Sequence, residues 1–260
     1  MSLEGPELPQ EPPEKTDSRP SGNKPGRRGL AADISRELRA PLTVLLGYLE
    51  WLQPQAKKDQ ALVVERMIGQ ARQMQATLDN LLELSSLRED RYAAARNIVD
   101  VPAILTQLKE KAEDLSGGDH FLNFQLDKDL RLLGSVRSIE GAARHLIVNA
   151  LTFTPPGGSI EVNWQRVPDG AELSVRDSGI GIAQEDIPRL TERFFRASAG
   201  NPQGSGGTGL GLAIVRQVLE SHQATLSVQS VIGKGSWFCC RFPADRLAPA
   251  AGNNEESIAT

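Results

Sequence analysis

Three groups of residues in this 260-residue chain have the types and the spacing to do chemistry. The first is Asp177-Ser178-Gly179-Ile180-Gly181-Ile182, a carboxylate and two glycines that follow a strand-like run. Glycines let backbone N–H groups approach a ligand closely, and a carboxylate beside them suits an adenine amino group. The second is Gly204-Ser205-Gly206-Gly207-Thr208-Gly209-Leu210-Gly211-Leu212, directly ahead of a helical pattern. Free N–H groups and the helix dipole converge at such a terminus and make an anion site, so this run suits a phosphate group. The third is the pair His145 and Asn149. Four residues apart, they share one face of a helix that is otherwise apolar at Leu146, Ile147 and Ala150. That face is read as a ligand face, the bland alternative being a capped core contact.

Each cluster alone also fits a tight turn. A dinucleotide fold would place its glycine fingerprint after the first strand of a β-α-β unit with an acid ~20 residues on; here the glycines come late and in two blocks. A phosphate loop ending in Gly-Lys-Ser/Thr is missing, since Gly233-Lys234-Gly235-Ser236 leads into a strand and reads as a hairpin turn. Cys239 and Cys240 are neighbours in a strand-like run, so they point to opposite faces and read as core residues with no disulfide or metal spacing.

Several elements must hold these residues in place. Leu38, Leu42, Leu45, Leu49 and Leu52 step by four and three, a heptad-like stripe on a helix over 30–52. A second helix over 59–87 carries Val64, Met67, Ala71, Met74, Leu78 and Leu81. The short polar linker with Pro54 makes the two antiparallel, and a partner hairpin that covers both stripes would complete a dimeric four-helix bundle, the alternative being docking onto the rest of the same chain. Beyond Asp90 the pattern predicts helices at 101–114, 138–152 and 209–222 and strands at 121–126, 160–164, 173–176, 225–229 and 237–242. Short turns at Pro168-Asp169-Gly170 and Gly233-Lys234-Gly235 suit antiparallel hairpins. Strands and helices without strict alternation give an α+β sandwich.

Composition limits the function classes. With 29 Lys+Arg against 33 Asp+Glu and a net charge of −4, the balance argues against a nucleic-acid binder that relies on a broad basic surface. No run approaches the ~20 apolar residues of a membrane span, and the first residues lack the basic and apolar regions of a secretory signal. A cytoplasmic protein is expected. Residues 1–28 hold six of the 16 prolines and few large apolar side chains, so they read as a disordered tail. The expected organisation is that tail, a dimerisation hairpin at 29–90, a nucleotide-type domain at 95–244 and a second disordered tail at 245–260.

The order of these motifs resembles the catalytic core of bacterial sensor histidine kinases, whose ATP-binding domain is of the histidine kinase, gyrase and Hsp90 type. Asn149 matches the asparagine box, Asp177-Ser178-Gly179-Ile180-Gly181 the first glycine box, Phe194-Phe195 the phenylalanine box, and Gly207-Thr208-Gly209-Leu210-Gly211-Leu212 the second glycine box. Ser35-Arg36-Glu37-Leu38-Arg39-Ala40-Pro41-Leu42 resembles the phosphoacceptor box of the dimerisation hairpin. The likeness covers about residues 30–243 and is greatest to the phosphate-regulon sensor kinases, through Trp164-Gln165-Arg166-Val167-Pro168 and Pro155-Pro156. It implies that ATP binds at Asn149, Asp177, Gly179, Gly181, Phe194, Gly207, Thr208, Gly209, Leu210 and Gly211. It further implies that Asn149 holds Mg²⁺, that Glu37 stands at the acid/base position, and that the chain takes part in a phosphorelay with a response regulator.

Three departures qualify that expectation. Arg36 stands where the family has its phosphoacceptor histidine, and a guanidinium has no free lone pair to act as nucleophile. The chain's three histidines, His120, His145 and His222, all lie outside the hairpin. Ala40 stands where phosphatase-competent members have a polar residue that positions water. His145 replaces the first asparagine of the box, and imidazole is a poor ligand for Mg²⁺. The expected function is therefore a pseudokinase: it binds ATP, forms a homodimer or pairs with an intact kinase, and is impaired in self-phosphorylation. The alternatives are a kinase that phosphorylates a partner's histidine in trans and, less favoured for want of a carboxylate beside His145 and Asn149, an ATPase of the gyrase/Hsp90 type.

Overall fold

The computed structural model describes residues 27–89, 97–197 and 207–248. Helix α1 (Arg27–Leu52) runs through Pro41, which has no N–H to donate to the preceding turn. A 3-10 turn, Gln53–Gln55, carries Pro54 in its first turn and leads into α2 (Lys58–Glu89). Ion pairs Arg39–Asp79 and Arg72–Glu50 join the early part of each helix to the late part of the other, so the two are antiparallel. Leu42, Leu49, Ile68 and Ala71 form the seam between them. Val64 and Leu78 pack against this seam and Leu81 against the core of the following domain, but Leu38, Leu45, Leu52, Met67 and Met74 of the expected stripes are exposed, with Val44, Tyr48 and Trp51 also exposed on α1. One helix–helix contact covers only one seam, and this wider apolar face remains for another surface.

The second part is a layer of helices on a sheet. Strand β1 (Asn97–Val99) precedes α3 (Val101–Ser116), whose N-cap Asp100 accepts from the Ala103 N–H at 3.0 Å. Then come β2 (Phe121–Leu126), β3 (Leu132–Gly134) and α4 (Val136–Phe153), the last capped by the Ser135 hydroxyl. Strands β4 (Ser159–Val167) and β5 (Gly170–Asp177) form one hairpin, and β6 (Thr225–Val231) and β7 (Gly235–Pro243) another, with α5 (Gly211–Ser221) between them. The five-stranded sheet has the order β2-β4-β5-β7-β6, antiparallel except for β2 beside β4. Strands β1 and β3 make a separate two-stranded sheet. The fold is the α+β sandwich that the pattern implied.

The core lies between the sheet and helices α3, α4 and α5. Trp164 is fully buried there, donates from Nε1 to the Leu130 carbonyl at 3.0 Å and meets the Phe242 ring edge-on. His222 is also fully buried. Its Nδ1–H donates to the Val218 carbonyl at 2.8 Å, and its Nε2 accepts from the Ser135 N–H at 3.3 Å, which ties the end of α5 to the start of α4. Burial, helped by the charge of Arg246 and opposed by the Val218 bond, pushes this imidazole below its ordinary value. The core does not stop at the domain edge: Leu84 and Leu87, from the last turns of α2, are buried within it.

Two boundaries differ from expectation. Residues 245–248, expected in a disordered tail, are fixed, because Leu247 bridges to Leu132 and Ala248 N–H donates to the Arg131 carbonyl. At the other end, 27 and 28 already belong to α1. The remainder of both expected tails lies outside the described residues. Among the described residues no helix is long and apolar enough to cross a membrane.

Candidate functional site

The turn after β5, the middle of α4 and the residues leading into α5 open onto one cavity of about 550 Å³. The structure brings His145 and Asn149 of α4 to it, together with Asp177 and Gly181 after β5. Gly207, Thr208, Gly209 and Gly211 line its other side. Residues far apart in sequence thus face one space whose size suits a small-molecule ligand.

Asp177 ends β5 and is buried. Its Oδ1 accepts from the Gly179 N–H at 2.8 Å and from the Ser236 N–H at 3.2 Å. Its Oδ2 makes no hydrogen bond among the described residues and is free to accept from a ligand. Burial raises this carboxyl above its ordinary value and outweighs the two N–H donors that oppose it. Such an acceptor gains most from a ligand donor, because water competes poorly at a buried position. Gly181 has φ +71°, and a Cβ there would lie 2.1 Å from the Val231 carbonyl, so the turn packs directly on the β6–β7 hairpin.

The opposite end of the cavity is the start of α5. Its N-cap residue, Leu210, makes no side-chain cap, which leaves the first-turn N–H groups open to an anion. Gly209 turns the chain at φ +69°, where a Cβ would collide with the Phe194 backbone at 2.7 Å. The Thr208 hydroxyl accepts from the Leu210 N–H at 3.2 Å. These features fit a phosphate chain, as Asp177 fits an adenine. For Mg²⁺, Asn149 offers an amide oxygen on the cavity wall. Among the described residues no group of three or more His, Cys, Asp or Glu side chains could hold a metal on its own. An ion here would lean on Asn149, the nucleotide's phosphates and water.

Three of the expected residues do not line the cavity. Phe194 lies at φ +63°, which turns its ring outward to 58% exposure, and Phe195 lines the cavity instead, beneath the Arg189 guanidinium at 4.2 Å. Leu210 is fully buried in the core and does not line the cavity. Gly179 serves from behind: its N–H holds Asp177, and a Cβ there would lie 2.3 Å from the Phe153 carbonyl.

His145 points elsewhere than to a metal. Its Nε2 lies 3.1 Å from Glu83 Oε2 on the hairpin helix, and the Arg144 Nη2 donates to the same oxygen at 2.8 Å. Burial alone would raise the Glu83 carboxyl, but the bonds and charges of His145 and Arg144 outweigh it and hold it below the ordinary carboxylate range. An ionised carboxylate only accepts, so Nε2 carries the hydrogen. Sequence reasoning missed Glu83 and three wall residues, Arg144 of α4 and Ala76 and Asn80 of α2. Nothing in a single sequence joins Asn80 to Thr208, 128 positions away. Arg36 and Glu37 lie on α1, the other hairpin helix.

Comparison with known proteins places two family models on the chain. The His Kinase A (phospho-acceptor) domain matches residues 26–90, and the histidine kinase-, DNA gyrase B- and HSP90-like ATPase matches residues 134–246. The chain is similar to the phosphate regulon sensor protein PhoR of Pseudomonas aeruginosa, 40% identical over 228 residues, covering 86% of this chain and 52% of that protein. It is 31% identical over 221 residues to the sensor-like histidine kinase SenX3 of Mycobacterium tuberculosis, covering 84% and 54%. The chain thus spans about half the length of the curated relatives it matches. Among solved structures, the mycobacterial sensor histidine kinase MprB matches at 26% identity with a TM-score of 0.53, covering 58% of this chain and 99% of that one. The full-length ShkA complex with AMPPNP shares the fold, with a TM-score of 0.62 at 23% identity over 86% of this chain and 47% of that one.

Proposed function

Because the chain belongs to the sensor histidine kinases, carrying the catalytic core of that family, we propose that it binds Mg²⁺-ATP as a two-component signalling protein and does not phosphorylate its own hairpin. The observation that carries this reading is Arg36 at the phosphoacceptor position of the box, in a chain whose cavity retains Asp177 and the glycine run at the start of α5. Phosphoryl transfer needs a lone pair in line with the γ-phosphorus, and an arginine in a protein holds its proton and offers none. Glu37 then has no acceptor to deprotonate, and Ala40 has no polar atom to position a hydrolytic water.

ATP would lie with its adenine amino group toward Asp177 Oδ2 and its phosphates toward the start of α5. Mg²⁺ would rest on Asn149 and screen the phosphate charge. The uncovered apolar face of the hairpin supports a homodimer, and the same face would accept the hairpin of an intact kinase. A response regulator is the partner class that the family supplies. The retained cavity also leaves room for a second reading, transfer to a partner's histidine.

The test mixes the full chain with γ-labelled ATP, alone and with a related kinase whose own ATP domain is inactive. Nucleotide binding without label on either protein supports the proposal. Label on the chain's own hairpin overturns it, and label on the partner's histidine selects transfer in trans.

A further inference from the structure

The last turns of α2 face the nucleotide cavity. Ala76 and Asn80 line it. Asn80 Nδ2 donates to the Thr208 hydroxyl at 2.8 Å, and that hydroxyl also holds the Leu210 N–H at the start of α5. One turn on, Glu83 takes hydrogen bonds from Arg144 and His145, one turn before Asn149 on α4. Leu84 and Leu87 follow, buried in the core of the ATP-binding domain. Residues 76, 80, 83, 84 and 87 recur at helical spacing, so one face of α2 makes all these contacts.

The contacts are selective. They grip the two pieces of the site that receive phosphate and metal, the second glycine box and the asparagine-box helix. Glu83 has 18% of its side chain exposed, and a carboxylate so placed depends on its partners. With α2 in position the cavity still measures about 550 Å³, within the range of occupied ligand sites. The helix is therefore a wall of the cavity and does not plug it.

We propose that Asn80 and Glu83 are positioning residues of the nucleotide site, supplied by the hairpin, so that nucleotide binding and docking of α2 strengthen each other. The inference rests on the ATP-binding reading above. Binding free energies are reciprocal: whatever docked α2 adds to nucleotide affinity, nucleotide adds to docking. A hairpin that lacks its phosphoacceptor then still has an output, its docked or released state, set by nucleotide and needing no phosphoryl transfer.

The test uses the full chain and titrates ATP with Mg²⁺ against Asn80→Ala, Thr208→Val, the pair together, and Glu83→Gln. Loss of one hydrogen bond is expected to weaken ATP binding by about two- to tenfold in Asn80→Ala. The double variant should be no weaker than the weaker single one, since both remove the same bond. Thr208→Ser, which keeps the hydroxyl, should bind ATP more tightly than Thr208→Val. In a second measurement, amide hydrogen exchange over residues 76–87 should slow when ATP is added to the wild type, and respond less in Glu83→Gln. The proposal is overturned if the singles bind as tightly as the wild type, if their effects multiply, or if exchange in α2 is unchanged or faster with ATP. A wild type that binds no ATP overturns both readings; one that binds ATP with α2 unmoved overturns this one alone.

Discussion

Asp177→Asn is the most direct probe of the cavity. The carboxylate uses Oδ1 for the N–H groups of Gly179 and Ser236, at 2.8 and 3.2 Å, and leaves Oδ2 for the ligand. Asparagine can keep the two backbone bonds with its carbonyl oxygen, so the turn should survive. Its NH₂ group then faces the adenine amino group, donor against donor. The lost bond to a charged acceptor is worth about 1.5–3 kcal/mol, and the donors left facing each other add a further penalty of about 1 kcal/mol or more. A total near 3 kcal/mol corresponds to roughly a hundredfold loss of ATP affinity. Isothermal titration with the full chain measures it, and an unchanged thermal midpoint shows that the fold is intact. GTP serves as the control, because guanine presents a carbonyl oxygen at the corresponding position: the wild type should prefer ATP, and the variant should lose much of that preference. The pH dependence has a definite sign. Adenine needs the ionised carboxylate, and the Asp177 carboxyl sits above its ordinary value. Affinity should therefore fall with falling pH, starting at a higher pH than an unperturbed aspartate would give. An Asp177→Asn variant that binds ATP within about threefold of the wild type, with ATP still preferred over GTP, refutes the adenine assignment.

Other outcomes follow from the same structure. Arg36→His alone is expected to leave the chain unlabelled by γ-labelled ATP, because His145 is engaged by Glu83 and occupies a position where the family has an amide; Arg36→His with His145→Asn should label, and strong labelling of the single variant would show that His145 is no obstacle. Leu45→Asp puts a charge in the uncovered hairpin face and should turn a dimer into a monomer in light scattering, whereas a dimer that persists would place the contact elsewhere. His222 is held below its ordinary value, so the unfolded chain takes up this proton first as pH falls. Its contribution to stability should be complete above about pH 6.5 and decline below it; in urea unfolding, His222→Gln should show a shallower loss on acidification, and an identical slope would remove His222 as the cause.

What was legible in the sequence was what is local. Glycine clusters report close backbone approach wherever they occur, so the two ends of the cavity could be read from Asp177 and the run to Gly211. The alternating stripes of α1 and α2 gave the hairpin, and the two short turns gave the β4–β5 and β6–β7 pairs. Parity was less legible: Phe195 lines the cavity in place of Phe194, which sits at φ +63°. Leu210 reads as part of a glycine box, yet its apolar side chain is drawn into the core beneath the turn. Strands β1 and β3 hold three residues each, too few for any period to emerge. The parallel pairing of β2 with β4 is a long-range fact of the sheet, and the contacts of Asn80 and Glu83 depend on how α2 packs on the sandwich.

The burial of Leu84 and Leu87 bears on how such proteins could exchange modules. The model of the phospho-acceptor domain ends at residue 90, and by that measure the hairpin is one unit and the rest another. By packing, the last turns of α2 already belong to the interior of the following domain. A chimaera joined at the family boundary would carry foreign side chains into that interior at positions 84 and 87, and a foreign residue at 83 onto Arg144 and His145. A graft joined within α2, ahead of Ala76, would exchange the dimerising part of the hairpin and leave the recipient's own interior, cavity wall and Glu83 contacts whole.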